Sequence, residues 1–261
     1  NVFALQDQSG QKVYSNKDEL FAFSDSTVRI ADINRPVNLF AYAEEKTKPK
    51  ITAKAITAAD KKLKFQSSLE SNKQDLLKPL TLEFNHKLKN FDSLSVKLTD
   101  TLNNIINNAI ISLDTTGKLL IIKNAWVDNS DYRLIIPKDF ATDTSGVALL
   151  KSDTLRFKTR KESEYGSIAI NFKNLEKFKK PVLQFVSNNE VVNSYPLQSS
   201  TWSSKLFSPG DYELRILEDT NGNGIWDPGN YHLKLQPEKV YAIPKKLNIR
   251  ADWDNETDII L

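Results

Sequence analysis

The chain has 261 residues, enough for two or three units, each with its own core. Hydrophobic content of 39% and charged content of 26% are ordinary for a globular protein, and no apolar run approaches the ~18 residues of a membrane helix. The net charge of +3 comes from 36 basic and 33 acidic residues that are interspersed, with Lys outnumbering Arg 29 to 7, which argues against a nucleic-acid partner; the absence of Cys excludes disulfides, thiolate metal sites and cysteine nucleophiles.

Period-two alternation bounded by Asn, Asp, Gly, Ser and Pro runs through most of the chain, so the expected fold class is all-β, built of tandem β-sandwiches. Residues 2–6, 20–23 and 37–43 read as strands of an opening unit, and the Lys-rich stretch 44–50 reads as a linker. The chain has no Met, even at residue 1, and begins on a strand-like run, so it is expected to be a fragment whose start has been removed. On this reading residues 1–50 are the C-terminal part of an upstream domain and need its strands to close their sheet.

A second unit, 51–161, is traced through strands at 62–65, 80–84, 94–98, 118–122, 132–136 and 155–159, with 99–110 mainly loop. Short strands at that spacing predict a sandwich. A third unit, 162–261, has strands at 168–172, 182–186, 191–195, 212–217 and 231–235, with Ser208-Pro209-Gly210-Asp211-Tyr212 as a turn feeding a strand.

The strand at 212–217 runs into Asp219-Thr220-Asn221-Gly222-Asn223-Gly224-Ile225-Trp226-Asp227-Pro228-Gly229-Asn230. Asp219, Asn221 and Asn223 stand at positions 1, 3 and 5 of a calcium loop, Gly224 at the turn position 6 and Asp227 at position 9. Calcium requires six to eight oxygens, so alternate side chains and one carbonyl, that of Ile225, would supply them, while Trp226 would point to a core. Asn230 stands at position 12, where a bidentate acid is expected. With only two formal charges, a calcium site would be weak, with a dissociation constant on the order of 0.1–1 mM. The alternative is a plain hairpin whose Asn-Gly pairs only make turns. Residues 5–14 echo 217–226 in Leu, Asp, Gly and an aromatic, but Lys12 replaces the glycine and Ser15 the second acid, so the first copy is expected to have lost its cation.

The middle unit resembles the bacterial Ig-like domain of the S-layer type in Leu80-Thr81-Leu82-Glu83-Phe84-Asn85, Tyr132-Arg133-Leu134-Ile135-Ile136 and Leu155-Arg156-Phe157-Lys158-Thr159. The third unit looks like a transthyretin-like (prealbumin-like) sandwich in Pro209-Gly210-Asp211-Tyr212-Glu213-Leu214-Arg215 and the Asp219 loop. With Gln236-Pro237-Glu238 and Ile249-Arg250-Ala251-Asp252-Trp253-Asp254, the chain is similar to Ig-like-domain envelope lipoproteins of the Bacteroidota. That resemblance implies an extracytoplasmic address, in the periplasm or on the outer-membrane surface, and a lipid anchor and further domain upstream. It implies no activity.

His86 and His232 have no second His or acid at ligand spacing, and there is no nucleophile elbow, phosphate-cradling loop or dinucleotide fingerprint. No catalytic residue is therefore assigned. The expected function is a non-catalytic envelope structural or accessory protein with a weak calcium site. The alternatives are a module binding glycan or another envelope protein through an exposed Trp among Trp126, Trp202, Trp226 and Trp253, and a hydrolase with convergent acids in a cleft.

Overall fold

The computed structural model describes residues 1–7, 10–29, 36–44 and 62–261. The expected linker beyond Glu44, the start of the middle unit and part of the first loop lie outside them. The fold is all-β: seventeen strands in five sheets, with two short 3-10 turns, Glu162–Glu164 and Leu175–Lys177, among the described residues.

The first sheet is a hairpin of β1 (Phe3–Leu5) and β2 (Phe21–Phe23), with Phe3 opposite Phe23. Next come β3 (Phe65–Ser67), β4 (Lys73–Gln74), β5 (Leu80–Phe84), β6 (Lys97–Thr99), β7 (Ile110–Leu113), β8 (Leu119–Lys123), β9 (Asp131–Ile136) and β10 (Asp153–Thr159). They form two four-stranded sheets, β3-β5-β8-β7 and β4-β10-β9-β6. Alternation explains how they pack: Leu80, Leu82 and Phe84 of β5 and Leu120 and Ile122 of β8 meet Tyr132, Leu134 and Ile136 of β9 and Phe157 of β10 in one core.

The C-terminal sandwich consists of β11 (Gly166–Lys173), β12 (Pro181–Ser187), β13 (Glu190–Pro196), β14 (Thr201–Phe207), β15 (Gly210–Glu218), β16 (Val240–Ile249) and β17 (Asp254–Ile260). Its sheets are β14-β11-β17 and β13-β12-β15-β16. Ile168, Ile170 and Phe172 from the first face Leu183, Phe185, Leu214 and Ile216 from the second. β17 runs parallel to β11, Ser167 beside Asp254 through Lys173 beside Ile260. Tyr165 sits where the two sandwiches meet. Its hydroxyl accepts from Leu76 N–H at 2.8 Å and donates to Asp75 Oδ1 at 2.9 Å, and Lys73 pairs with Glu164 at 3.0 Å.

Two expected strands are not strands. Of residues 37–43 only Tyr42 pairs, through an isolated bridge to Phe21. Residues 231–234 form a turn, closed by an Asn230–Leu235 bridge and with Lys234 at φ +55°. The alternating Tyr231-His232-Leu233-Lys234-Leu235 does not continue the sheet because Tyr231 turns into an aromatic cluster with the first hairpin. Its ring lies 5.3 Å from Phe21 and 5.5 Å from Phe23.

Candidate functional site

β15 and β16 are antiparallel neighbours, and the chain between them, residues 219–239, leaves and re-enters the sheet at one point. Glu218 N–H donates to Lys239 O at 2.9 Å, the last rung of the ladder. The Asp219 loop begins immediately beyond it, so its first carboxylate is fixed by a rigid strand.

Asp219 is 3% exposed and organises the loop. Its Oδ1 accepts from Gly222 N–H at 2.6 Å and Asn223 N–H at 3.2 Å, and its Oδ2 from Gly224 N–H at 2.7 Å. Burial works against its charge, but these three N–H groups and the nearby Lys180 ammonium outweigh burial and hold the carboxyl below the usual range. Gly224 has φ +76°, a conformation that brings its N–H back onto Asp219 and that costs glycine little.

The asparagines continue the curl as a ladder of side-chain turns: Asn221 Oδ1 accepts from Asn223 N–H at 2.9 Å, and Asn223 Oδ1 from Ile225 N–H at 2.7 Å. Their amide groups converge on one atom. Asn221 Nδ2 and Asn223 Nδ2 lie 2.6 and 2.8 Å from Asp227 Oδ2. The structure therefore brings Asp219, Asn221, Asn223 and Asp227 into one loop tip, with Ile225 exposed beside them. Asn230 lies in the following turn, where its Oδ1 accepts from Leu233 N–H at 3.0 Å.

Sequence reasoning missed Glu238 as part of this site. It is 9% exposed and lies just before β16. Its Oε1 accepts from Thr220 N–H and Thr220 Oγ1, both at 2.7 Å, and its Oε2 accepts from Asp227 N–H at 3.1 Å. Its N–H returns a bond to Asp227 O at 3.1 Å, and its carbonyl accepts the Trp226 indole N–H at 2.9 Å. Glu238 thus clasps both ends of the loop.

The echo in the first hairpin is structural as well. Asp7 Oδ1 accepts from Gly10 N–H and Oδ2 from Lys12 N–H, both at 2.7 Å, matching the bonds from Gly222 and Gly224 to Asp219. Lys12 adopts φ +55° where the second copy has Gly224. Gln6 N–H donates to Leu20 O as Glu218 N–H does to Lys239 O. Glu19, 2% exposed, takes the N–H of Ser15 at 3.3 Å, as Glu238 takes that of Asp227. In both copies the glutamate stands two residues before the returning strand. Aligning the two hairpins by their strands would have revealed it.

Could the second loop hold a hard cation? Among the described residues no three His, Cys, Asp or Glu side chains gather as a metal-holding group, so any such site depends on its asparagine oxygens. The donor set of two carboxylates, two amides and the Ile225 carbonyl has the chemistry that calcium takes. As the loop stands, the Asn221 and Asn223 oxygens accept backbone N–H groups while their Nδ2 atoms face Asp227, so an ion would require both amides to reorient. Lys180 Nζ, 3.0 Å from Thr220 O, places a like charge nearby and limits affinity.

Three of the four tryptophans are packed. Trp126 lies against Tyr132 and Phe157, Trp202 against Tyr195 and Phe185, and Trp226 beside the first hairpin. Trp253, 58% exposed with Arg250 5.2 Å from its ring, is the exception. His232 is exposed beside Tyr231.

No family model matches this chain, and no curated protein matches it. Solved structures do. A segment of Escherichia coli alpha-2-macroglobulin spanning domains MG0-NIE-MG1 shares 12% identity over 70% of this chain and 71% of that one, with TM-score 0.33. The N-terminal part of the bacterial S-layer protein SbsC shares 10% over 72% of this chain, with TM-score 0.33; the match spans 45% of that chain. BcpA, the major pilin subunit of Bacillus cereus, shares 8% over 76% and 69% of the two chains, with TM-score 0.25. At these scores the functional reading rests on the loop's own geometry.

Proposed function

We propose that this protein is a non-catalytic structural or accessory module of the cell envelope, made of tandem Ig-like and transthyretin-like sandwiches, whose 219–230 loop binds one calcium ion weakly. The observation that carries the reading is the convergence of Asp219, Asn221, Asn223 and Asp227 in a tip that Glu238 closes from behind. Asp219, Asn221, Asn223 and Asp227 would supply side-chain oxygens and Ile225 its carbonyl. Asn230, held in its own turn, leaves the twelfth position without an acid and keeps affinity low. The ion would supply folding free energy to the tip and no chemistry of its own. Among the described residues no helix is long and apolar enough to cross a membrane.

Thermal unfolding in 2 mM calcium and then in excess chelator tests the reading. A dissociation constant of about 0.1–1 mM gives about 0.6–1.8 kcal/mol of stabilisation at that level, a rise of several degrees for a sandwich of this size. Asp219→Ala should abolish the response. A wild-type midpoint indifferent to chelator would leave the loop a plain turn. Exposure of Trp253 supports a second reading, a surface that stacks on glycan or a partner of the envelope, and Trp253→Ala would then abolish capture on surface glycan while leaving stability unchanged.

A further inference from the structure

We propose that a divalent cation in the 219–230 loop governs how firmly the N-terminal hairpin, β1 and β2, docks on the C-terminal sandwich. This rests on the calcium reading above. Asp227 and Glu238 form a neck. Asp227 N–H donates to Glu238 Oε2 and Glu238 N–H donates to Asp227 O, each at 3.1 Å, so residues 228–237 are an excursion pinned at both ends. The side chain of the same Asp227 receives the amides of Asn221 and Asn223. One residue therefore faces the cation position with its carboxylate and holds the excursion with its backbone.

The excursion and the indole just before it carry the contacts to the first hairpin. Trp226 and Tyr231 pack on the cluster of Phe21, Phe23 and Tyr42. The Tyr231 ring stands edge-on to Phe3, Phe21 and Phe23 at 5.3–5.7 Å. Gln236 Nε2 donates to Phe23 O at 3.0 Å. Gly229 lies so close to Tyr42 that a Cβ there would stand 2.5 Å from its ring. From the other side Tyr14, at the loop position equivalent to Trp226, stacks on Phe21 at 4.9 Å. The two copies of the hairpin thus meet through equivalent aromatics, and the second carries the proposed cation ligands. A cation that fixes Asp227 fixes the neck, and the neck presents Trp226, Gly229 and Tyr231 to the first hairpin.

Amide hydrogen exchange on the whole chain, with calcium chloride as the only addition, tests the proposal. Phe21 and Tyr42, which the Tyr231 ring and Gly229 pack against, exchange two backbone bonds with each other at 2.9 and 3.0 Å, and these report how firmly the docked hairpin is held; Gly224 and Asp227 report the loop. At 2 mM calcium, full coupling makes protection of the Phe21 and Tyr42 amides rise by the same factor as the loop amides, about 3- to 20-fold for the affinity range above. Loop amides that gain protection while Phe21 and Tyr42 do not would overturn the coupling and leave the calcium reading standing. If neither set responds, the calcium reading fails and the coupling with it. Tyr231→Ala, outside the loop, removes the ring packed on Phe3, Phe21 and Phe23 and should keep the loop's calcium response and remove the hairpin's; a retained hairpin response would overturn the proposal. Leu214, 0% exposed in the sandwich core, serves as the folding reference in both proteins.

Discussion

Replacing Glu238 with Gln tests whether one carboxylate closes the loop. The wild-type side chain accepts three hydrogen bonds, two on Oε1 from Thr220 and one on Oε2 from Asp227 N–H. A glutamine keeps one oxygen, and two donors at Thr220 claim it. The amide NH2 then faces Asp227 N–H, donor against donor. Hydrogen bonds to a charged group contribute about 1.5–3 kcal/mol, so losing the one at Asp227 and neutralising the other two should cost at least that much locally. Because the chain has several cores, a single melting midpoint would dilute the effect, and exchange of the Asp227 amide is the better assay. Its protection should fall by about 10- to 150-fold, taking 1.36 kcal/mol per decade. Trp226 fluorescence should change with it, since its indole N–H binds the Glu238 carbonyl. Unchanged protection at Asp227 would refute the clasp and reduce Glu238 to a bystander before β16.

Acid should weaken the fold within a defined window. Asp114 is held down to about 2 by the N–H of Leu119 and the Thr116 hydroxyl, Asp100 is lowered by Asn104, Glu164 by Lys73, and Asp219 by its three N–H donors despite its burial. A carboxyl whose folded value is depressed contributes stability above its unfolded value and loses it as pH falls toward the folded one, so midpoints should hold from pH 7 to about 5 and drop between about 4 and 2. A drop beginning near pH 6 in circular dichroism melts would contradict this assignment. Tyr165→Phe should loosen the seam between the sandwiches, since it strands Leu76 N–H and removes the donor to Asp75. A cost of about 1–3 kcal/mol, read as lost protection of the Leu76 amide, is expected, and an unchanged amide would remove Tyr165 from the seam.

Alternation made β5 and β9 legible almost to the residue, because every second side chain there is buried. β16 escaped because it buries little besides Ile243 and Ile249 and carries Pro244 and two lysines, the marks of an edge strand. β17 escaped because Asp254-Asn255-Glu256-Thr257-Asp258 does not look like a strand, although Asn171 and Asp258 bond at 3.1 Å across the parallel pair. Of the loop, Asp219, Asn221, Asn223 and Asp227 were legible through their spacing. Glu238 was not, since the motif has no fixed offset for a residue arriving from the next strand.

The β11–β17 pair has a kinetic consequence. Its partners lie 87 residues apart, in parallel register, and the whole of β12 to β16 intervenes. Closing so long a loop is among the slower steps open to a chain of this size. Until it happens β11 keeps a bare edge bearing Ile168, Ile170 and Phe172, the kind of apolar ribbon that recruits strands from other molecules. The refolding yield of this protein should therefore fall with concentration, and it is β17, with its run of acidic residues, that ends the vulnerable interval.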